Sequence, residues 1–269
     1  MASAPAAALE GDRRLLVEAV RKAGGVARRH FRRPVRTWEK KPGHVVSAAD
    51  LAVDACLREC LVGARPDYGW LSEESGTEAG ALEARRFWLV DPIDGTRSFL
   101  KGRPEFAVAA ALVENGRPLA AAVYNPATDE LFDAVPGGGA RLNGRRVRAG
   151  EHEELRGARL LLSRTEAERA TWPRAFPEAT VLGLSSFAYK LALVAAGRAD
   201  GAVTLTPKSA WDVAAGDLLL AVAGGIATTL DGAPFAYDRP AARYPSLVAA
   251  APRLHRLLLN RLRTFRERG

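Results

Sequence analysis

The run FWLVDPIDGTRSFLKGRPEF, residues 87–106, decides how the rest of the chain is read. An apolar stretch, Phe87 to Val90, stops at Asp91, and Asp94 follows three positions on. Two carboxylates held close repel unless a cation or a shared proton neutralises them. Oxygen-rich groupings of this kind suit magnesium or manganese. Pro92 stiffens the link and the Ile93 carbonyl adds an oxygen. Gly95 lets the backbone approach a phosphate, and Thr96 brings a hydroxyl and an amide. Taken alone, the two aspartates also fit a plain turn, where aspartate is common.

Three further acidic segments bear on that choice. WLSEESG (70–76) sets Glu73 and Glu74 after an apolar approach. HVVSAADLAVD (44–54) puts Asp50 in the first turn of a helix with Ser47 as its N-cap, and AWDVAAGD (210–217) puts Asp212 at another helix start among small residues. Each reads alone as an acidic loop or a helix cap.

The chain has 269 residues, 48% of them hydrophobic, enough for a sizeable core. It has no apolar run long enough to cross a bilayer. MASAPAAALEGD lacks the basic flank and apolar core of a secretion signal, and residues 1–11 are expected to be a flexible tail. Cys56 and Cys60, four apart on a helix, read as free thiols, which fits a reducing cytoplasm. The net charge of +8 fits a solvated arginine-rich surface or an attraction to anions. The basic residues read as scattered, with clusters at Arg28–Arg33 and in RLHRLLLNRLRTFRERG (253–269). No zinc-finger spacing or aromatic-basic RNA-binding signature accompanies them. The four histidines lack an H-x-x-x-H spacing, and no G-x-S-x-G elbow marks a serine hydrolase.

Periodicity predicts helices over about 12–31 and 47–63, a short strand at 87–90, and antiparallel strands over 106–147 with turns at Asn115-Gly116, Asn125-Pro126 and Asn143-Gly144. The second half alternates: strand 158–164, helix broken at Pro173, strand 179–184, helix ending near Gly197, strand 201–206, helix stopped by Gly224-Gly225, strand 244–251 and a last helix. Sheets layered with helices follow from such a pattern. A soft boundary near Gly150 divides an N-terminal α+β half (12–150) from a C-terminal α/β half (151–269) carrying Asp212.

VVSAAD, SEES, WLVDPIDGTRSF, GGGARLNG and WDVAAG, in that order, resemble the inositol monophosphatase superfamily of metal-dependent phosphatases over nearly the whole chain from Asp12. The resemblance implies an α/β (α+β) fold, the five-layer αβαβα sandwich shared with fructose-1,6-bisphosphatase. It implies two or three Mg2+ ions, with Mn2+ as a substitute. One ion falls to Glu73, Asp91 and the Ile93 carbonyl; Asp91 bridges to a second held by Asp94 and Asp212. Asp50 and Thr96, with Glu73, take the catalytic roles, activating water. The Gly95 and Thr96 amides, with Asp94 and Asp212, face the phosphate. It also implies a homodimer acting on a small phosphorylated metabolite, away from membranes and without nucleic acid as the expected partner.

Departures from the family pattern bear on substrate. Ser98 stands where asparagine is usual, and His44 where aspartate is usual. Leu205 stands at the acidic position that contacts sugar hydroxyls in the inositol-phosphate enzymes. The next loop offers Lys208, and the helix SSFAYKLALVAAG (185–197) carries Ser186 and Lys190. A lysine there resembles the 3′(2′),5′-bisphosphate nucleotidases, whose extra phosphate needs a basic partner. Lys190 also fits a snorkelling helix residue. Ser163 sits at a position often used for substrate contact and equally fits an N-cap. The expected substrate is a bisphosphate nucleotide or an inositol monophosphate, with fructose bisphosphate, NADP and histidinol phosphate as alternatives. A basic nucleic-acid-binding protein with a vestigial phosphatase site is the alternative of another class.

Overall fold

Residues Arg86–Asp94 form one long strand whose side chains alternate between two apolar cores. Phe87 and Leu89 enter one, Trp88 and Val90 the other. That alternation repeats in every central strand and sets up the layers. The computed structural model describes residues 6–78, 80–81, 83–168, 171–238 and 242–267. The first half runs α1 (Ala6–His30), β1 (Thr37–Lys41), β2 (His44–Ser47), α2 (Ala48–Ala64), β3 (Gly69–Ser72), β4 (Gly76–Thr77), β5 (Arg86–Asp94) and α3 (Thr96–Leu100). An antiparallel meander follows: β6 (Ala107–Glu114), β7 (Arg117–Asn125), β8 (Glu130–Val135), β9 (Gly139–Leu142) and β10 (Arg145–Val147). The second half runs β11 (Arg159–Leu162), α4 (Arg164–Ala167), α5 (Thr171–Ala175), β12 (Thr180–Gly183), α6 (Phe187–Ala195), β13 (Gly201–Thr204), β14 (Lys208–Ser209) and α7 (Ala210–Val222). It closes with β15 (Ile226–Thr228), β16 (Arg243–Tyr244), β17 (Leu247–Ala250) and α8 (Pro252–Glu267).

An eight-stranded sheet, β10-β9-β8-β7-β6-β5-β3-β4, is antiparallel except where β3 meets β5. A five-stranded mixed sheet has the order β12-β11-β13-β17-β15. Helices α1 and α2 cover one face of the large sheet, through Leu16, Val20, Val53 and Leu57 against Trp88 and Val108. Helices α6 and α7 lie between the sheets, so Leu191 and Leu219 share a core with Leu89 of one and Leu161 of the other. Helices α5 and α8 cover the far face of the small sheet, where Trp172 and Leu258 meet Leu160 and Val248. The result is five layers, α/β/α/β/α.

Small residues make this stacking close. In β6 and β7 the alanines at 107, 109, 110, 111, 120, 121 and 122 are all buried. Gly24, inside α1, lets that helix approach β7, since a Cβ there would lie 2.4 Å from Tyr124 Cδ1. Trp70 of β3 pairs in register with Trp88 of β5, both fully buried. Burial of each ring contributes about 1.5–3 kcal/mol or more, which pins the only parallel pairing of the large sheet among the described residues.

Several local expectations change. Helix α1 begins at Ala6, inside the stretch expected as a tail; residues 1–5 lie outside the described residues. Pro173 falls in the first turn of α5, where its missing N–H costs nothing, so it does not break that helix. The β1–β2 hairpin, β3 and β15 have no counterpart in the periodicity, being too short to repeat a pattern. Cys56 and Cys60 are free thiols.

Candidate active site

In a regular strand, residues three apart face opposite sides. Asp91 and Asp94 do not, because β5 carries a bulge. Against β6, Asp91 pairs with Ala109 and Asp94 with Ala107, so one extra residue is absorbed between them. A bulge re-aims side chains in this way and tolerates a proline such as Pro92 in a central strand. Asp212, in the first turn of α7, completes the group: one carboxylate oxygen from each of the three residues lies within 4.8 Å of the others.

Each aspartate is held from behind. Asp94 Oδ2 accepts from Ser186 Oγ (2.7 Å) and the Ala188 N–H (2.6 Å) at the start of α6. Asp212 Oδ2 accepts from the Ser209 N–H at 2.7 Å, its own helix cap. Asp91 Oδ1 is buried with no hydrogen-bond partner. A buried carboxylate oxygen left bare is costly unless something outside the chain binds it.

The electrostatics agree. Burial holds the Asp91 carboxyl well above the usual range, and the charges of Glu73, Asp94 and Asp212 add to the shift. Burial and Asp212 push Asp94 up to about 6, against the hydrogen bonds from Ser186 and Ala188. Burial also raises Asp212, opposed by Lys208.

Glu73 lies outside the three-aspartate cluster but beside it. The parallel register pairs Ser72 with Val90, and the Glu73 N–H donates to the Val90 carbonyl at 3.2 Å. Burial pushes its carboxyl up to about 8, with Asp212, Glu74 and Asp94 contributing. Glu74 points elsewhere, into an ion pair with Lys40, whose Nζ also donates to the Glu73 and Glu74 carbonyls.

Asp50 and Thr96 meet on the other flank. Thr96 Oγ1 lies 2.9 Å from Asp50 Oδ1 and 3.0 Å from the Ile93 carbonyl. Asp50 Oδ2 accepts from the Ser47 N–H (2.8 Å) and Oγ (2.5 Å), a capping box at the start of α2. Gly95 precedes α3 with φ +97°, and a Cβ there would lie 2.8 Å from the Glu105 carbonyl.

The remaining predicted residues divide. Ser186 caps α6 and braces Asp94. Ser163 caps α4, and its hydroxyl donates to Glu166 Oε2 at 2.6 Å. Lys190 does not snorkel: it is 0% exposed, its Nζ has no hydrogen-bond partner, and it lies 5.0 Å from the Phe187 ring centroid. Lys208 Nζ lies 5.5 Å from the same centroid. Burial and the Lys208 charge pull Lys190 down to about 7, with Asp94, Glu166 and Asp212 opposing. Leu205 is 42% exposed.

Two further residues shape the site: Ser98, noted above as a departure from the family pattern, and Glu166, which the motifs do not single out. Ser98 Oγ donates to Ser185 Oγ at 2.6 Å, tying α3 to the approach to α6. Buried Glu166 accepts from Thr204 Oγ1 (2.9 Å) and the Leu205 N–H (2.8 Å), fixing the loop that presents Leu205. The spacing Ser163-x-x-Glu166 is the signal that marks it.

A sequence profile described as the inositol monophosphatase family matches residues 9–266. An inositol-1-monophosphatase of Rhizobium meliloti (strain 1021) is 40% identical over 228 residues, covering 81% of this chain and 85% of that one. A Nus factor SuhB of Pasteurella multocida (strain Pm70) is 34% identical over 258 residues, covering 92% and 94%. Among solved structures, the extragenic suppressor protein suhB of Bartonella henselae superposes with TM-score 0.83 at 32% identity, covering 93% and 97%. The inositol monophosphatase of Anabaena (Nostoc) sp. PCC 7120 superposes with TM-score 0.81 at 29% identity, covering 95% and 96%.

Proposed function

The chain belongs to the inositol monophosphatase family and is a phosphatase; from that premise we propose that it uses magnesium to remove a phosphate from a 3′(2′),5′-bisphosphate nucleotide in preference to an inositol monophosphate. The residues present fit a divalent ion. Asp91, Asp94 and Asp212 offer hard oxygens within 4.8 Å of one another, and Asp91 Oδ1 has no protein partner. Glu73 and the Ile93 carbonyl would complete the set of ligands. Magnesium bound there supplies Lewis acidity for the phosphoryl oxygens and for the attacking water.

The chain's own groups do the rest. The Thr96 hydroxyl has one proton and two acceptors in reach, Asp50 Oδ1 and the Ile93 carbonyl. With its proton on Asp50, the Thr96 oxygen is free to accept one from water, and Asp50 is the final acceptor. The Gly95 and Thr96 amides orient the phosphate oxygens.

The buried, unpartnered Lys190 ammonium carries the substrate reading. Lys190 and Lys208 flank one phenyl ring with no carboxylate hydrogen-bonded to Lys190. A second phosphate on the substrate supplies the missing acceptor. Leu205 gives a polyol no hydrogen-bond partner but gives a base an apolar surface.

A phosphate-release panel in magnesium, with and without lithium, tests this with a bisphosphate nucleotide and an inositol monophosphate side by side. Lys190→Ala is expected to lower kcat/KM for the nucleotide at least about tenfold more than for the monophosphate, the scale of one charge-assisted hydrogen bond. Equal losses on both substrates remove the nucleotide assignment.

A further inference from the structure

Two segments far apart in sequence, residues 28–43 and 97–103, hold ten arginines and lysines and one carboxylate, Glu39. Their surplus of nine positive charges is larger than the excess of eight on the whole chain, so all the other residues together are close to neutral. The cluster expected at Arg28–Arg33 is therefore part of a larger one that holds the net positive surplus. The fold joins the two segments: Arg32 Nε donates to the Gly102 carbonyl at 3.1 Å, Arg97 donates to the Gly43 carbonyl, and Phe31 packs on Phe99 with centroids 5.7 Å apart.

Arg32, Arg33, Arg97, Lys101 and Arg103 are exposed, and none is in an ion pair among the described residues. The other basic cluster differs: on α8, Arg253 pairs with Glu153 and Arg261 with Glu178. A helix C-terminus favours cations, which accounts for Arg28 and Arg29 at the end of α1. The same holds for Lys101, the C-cap of α3, but not for Arg33 or Arg103, which lie beyond the helix ends. In the first of the two segments Trp38 is 36% exposed, with the Arg36 guanidinium 5.8 Å from its ring centroid.

We propose that this face binds single-stranded nucleic acid, with backbone phosphates on the arginines and an unpaired base stacked on Trp38. Seven of the ten cations are arginine, whose planar fork matches phosphate oxygens. A small phosphate ester engages one or two such groups, whereas the patch carries ten cations on two chain segments. A membrane surface needs an apolar flank, and Trp38 is the only large apolar side chain exposed on these two segments among the described residues. An aromatic beside an unpaired basic track is the combination that single strands use.

Fluorescence anisotropy with labelled single-stranded RNA and DNA of about 20 nucleotides tests the proposal, with a duplex and phosphatidylserine vesicles as competitors. Neutralising three or more phosphates predicts affinity falling about tenfold or more between about 50 and 200 mM salt. The triple variant Arg33→Glu, Lys101→Glu, Arg103→Glu is expected to lose binding by at least about tenfold while retaining kcat at saturating substrate. Trp38→Ala is expected to weaken single strands and leave duplex binding unchanged. Asp94→Asn, inactive as a phosphatase, keeps full binding, which separates this face from the reaction. Absence of saturable binding at the lower salt, an unchanged triple variant, or vesicles displacing the nucleic acid each overturns the proposal. So does a triple variant whose sole defect is a lower, salt-insensitive kcat/KM, which makes the face a funnel for small anions.

Discussion

Thr96 Oγ1 and Asp50 Oδ1 lie 2.9 Å apart, although 46 residues separate them in sequence. The contact is fixed from both ends. Asp50 is clamped through its other oxygen by the Ser47 backbone and hydroxyl, and Thr96 opens α3 directly after the bulged strand. A pair pre-set in this way moves a proton without a search for partners.

Thr96→Ala and Asp50→Asn are therefore each expected to lower kcat by about 10²–10⁴-fold with little change in KM. The two losses overlap, so the double variant falls little below the worse single one. Asp50→Asn also weakens the α2 capping box, at about 1 kcal/mol of stability. Steady-state kinetics on the three variants, with a denaturant melt of each, separates the two effects. Losses that multiply in the double variant contradict a shared proton path.

Metal binding is read most directly through stability. Wild-type protein held at about 100 times the magnesium Kd gains about 2.7 kcal/mol over the chelated protein. Asp91→Asn removes a buried charge that the neighbouring carboxylates repel, so the chelated variant melts at or above the chelated wild type, and magnesium no longer shifts it. A wild type whose melting temperature ignores magnesium contradicts the assigned site.

Much of this site is legible in the residues themselves. D-P-I-D-G-T, the S-x-x-D cap at Ser47–Asp50 and the start of α7 at Asp212 all carry local chemistry that survives in the fold. What the residues conceal needs a partner strand or helix to appear. The bulge at 91–94 exists only against β6, which is why the strand reads as Phe87–Val90 and extends to Asp94. Ser163 and Ser186 carry hydroxyls suited to a phosphate, and helix starts take both. Lys190 reads as a half-exposed helix residue until α7 and the small sheet close over it.

Gly95 joins the bulge to α3, and two constraints meet there. Its φ of +97° disfavours any Cβ, and the Cβ itself would stand 2.8 Å from the Glu105 carbonyl, a backbone atom with little freedom to retreat. Gly95→Ala is expected to cost about 1–3 kcal/mol and to lower kcat more than Gly24→Ala does at comparable loss of stability. Gly24 is far from the aspartates in α1, where it faces Tyr124. Equal kcat in the two variants contradicts a role for Gly95 in positioning Thr96.

Asp217 gives the chain a pH dependence that is separable from metal binding. It sits half-buried on α7, five residues beyond Asp212, with the Tyr237 hydroxyl donating to its Oδ2 at 2.8 Å. Burial pushes its carboxyl up to about 6, and the Tyr237 hydrogen bond offsets only part of that rise. In the unfolded chain the same group titrates near 3.8. The folded state therefore holds the proton more tightly, and stability falls as pH climbs from about 4 to about 6. Above pH 6 the deficit is complete, about 1–2 kcal/mol once partial exposure to water is allowed for. Asp217→Asn keeps an acceptor for Tyr237 and carries no charge. Urea unfolding with a chelator present is expected to show the variant more stable than wild type at pH 7.5 and equal to it at pH 4. Tyr237→Phe acts in the opposite sense, since an Asp217 carboxylate without its donor is disfavoured further at pH 7.5. A gain for Asp217→Asn of the same size at both pH values assigns the effect to packing and removes the carboxylate from the account.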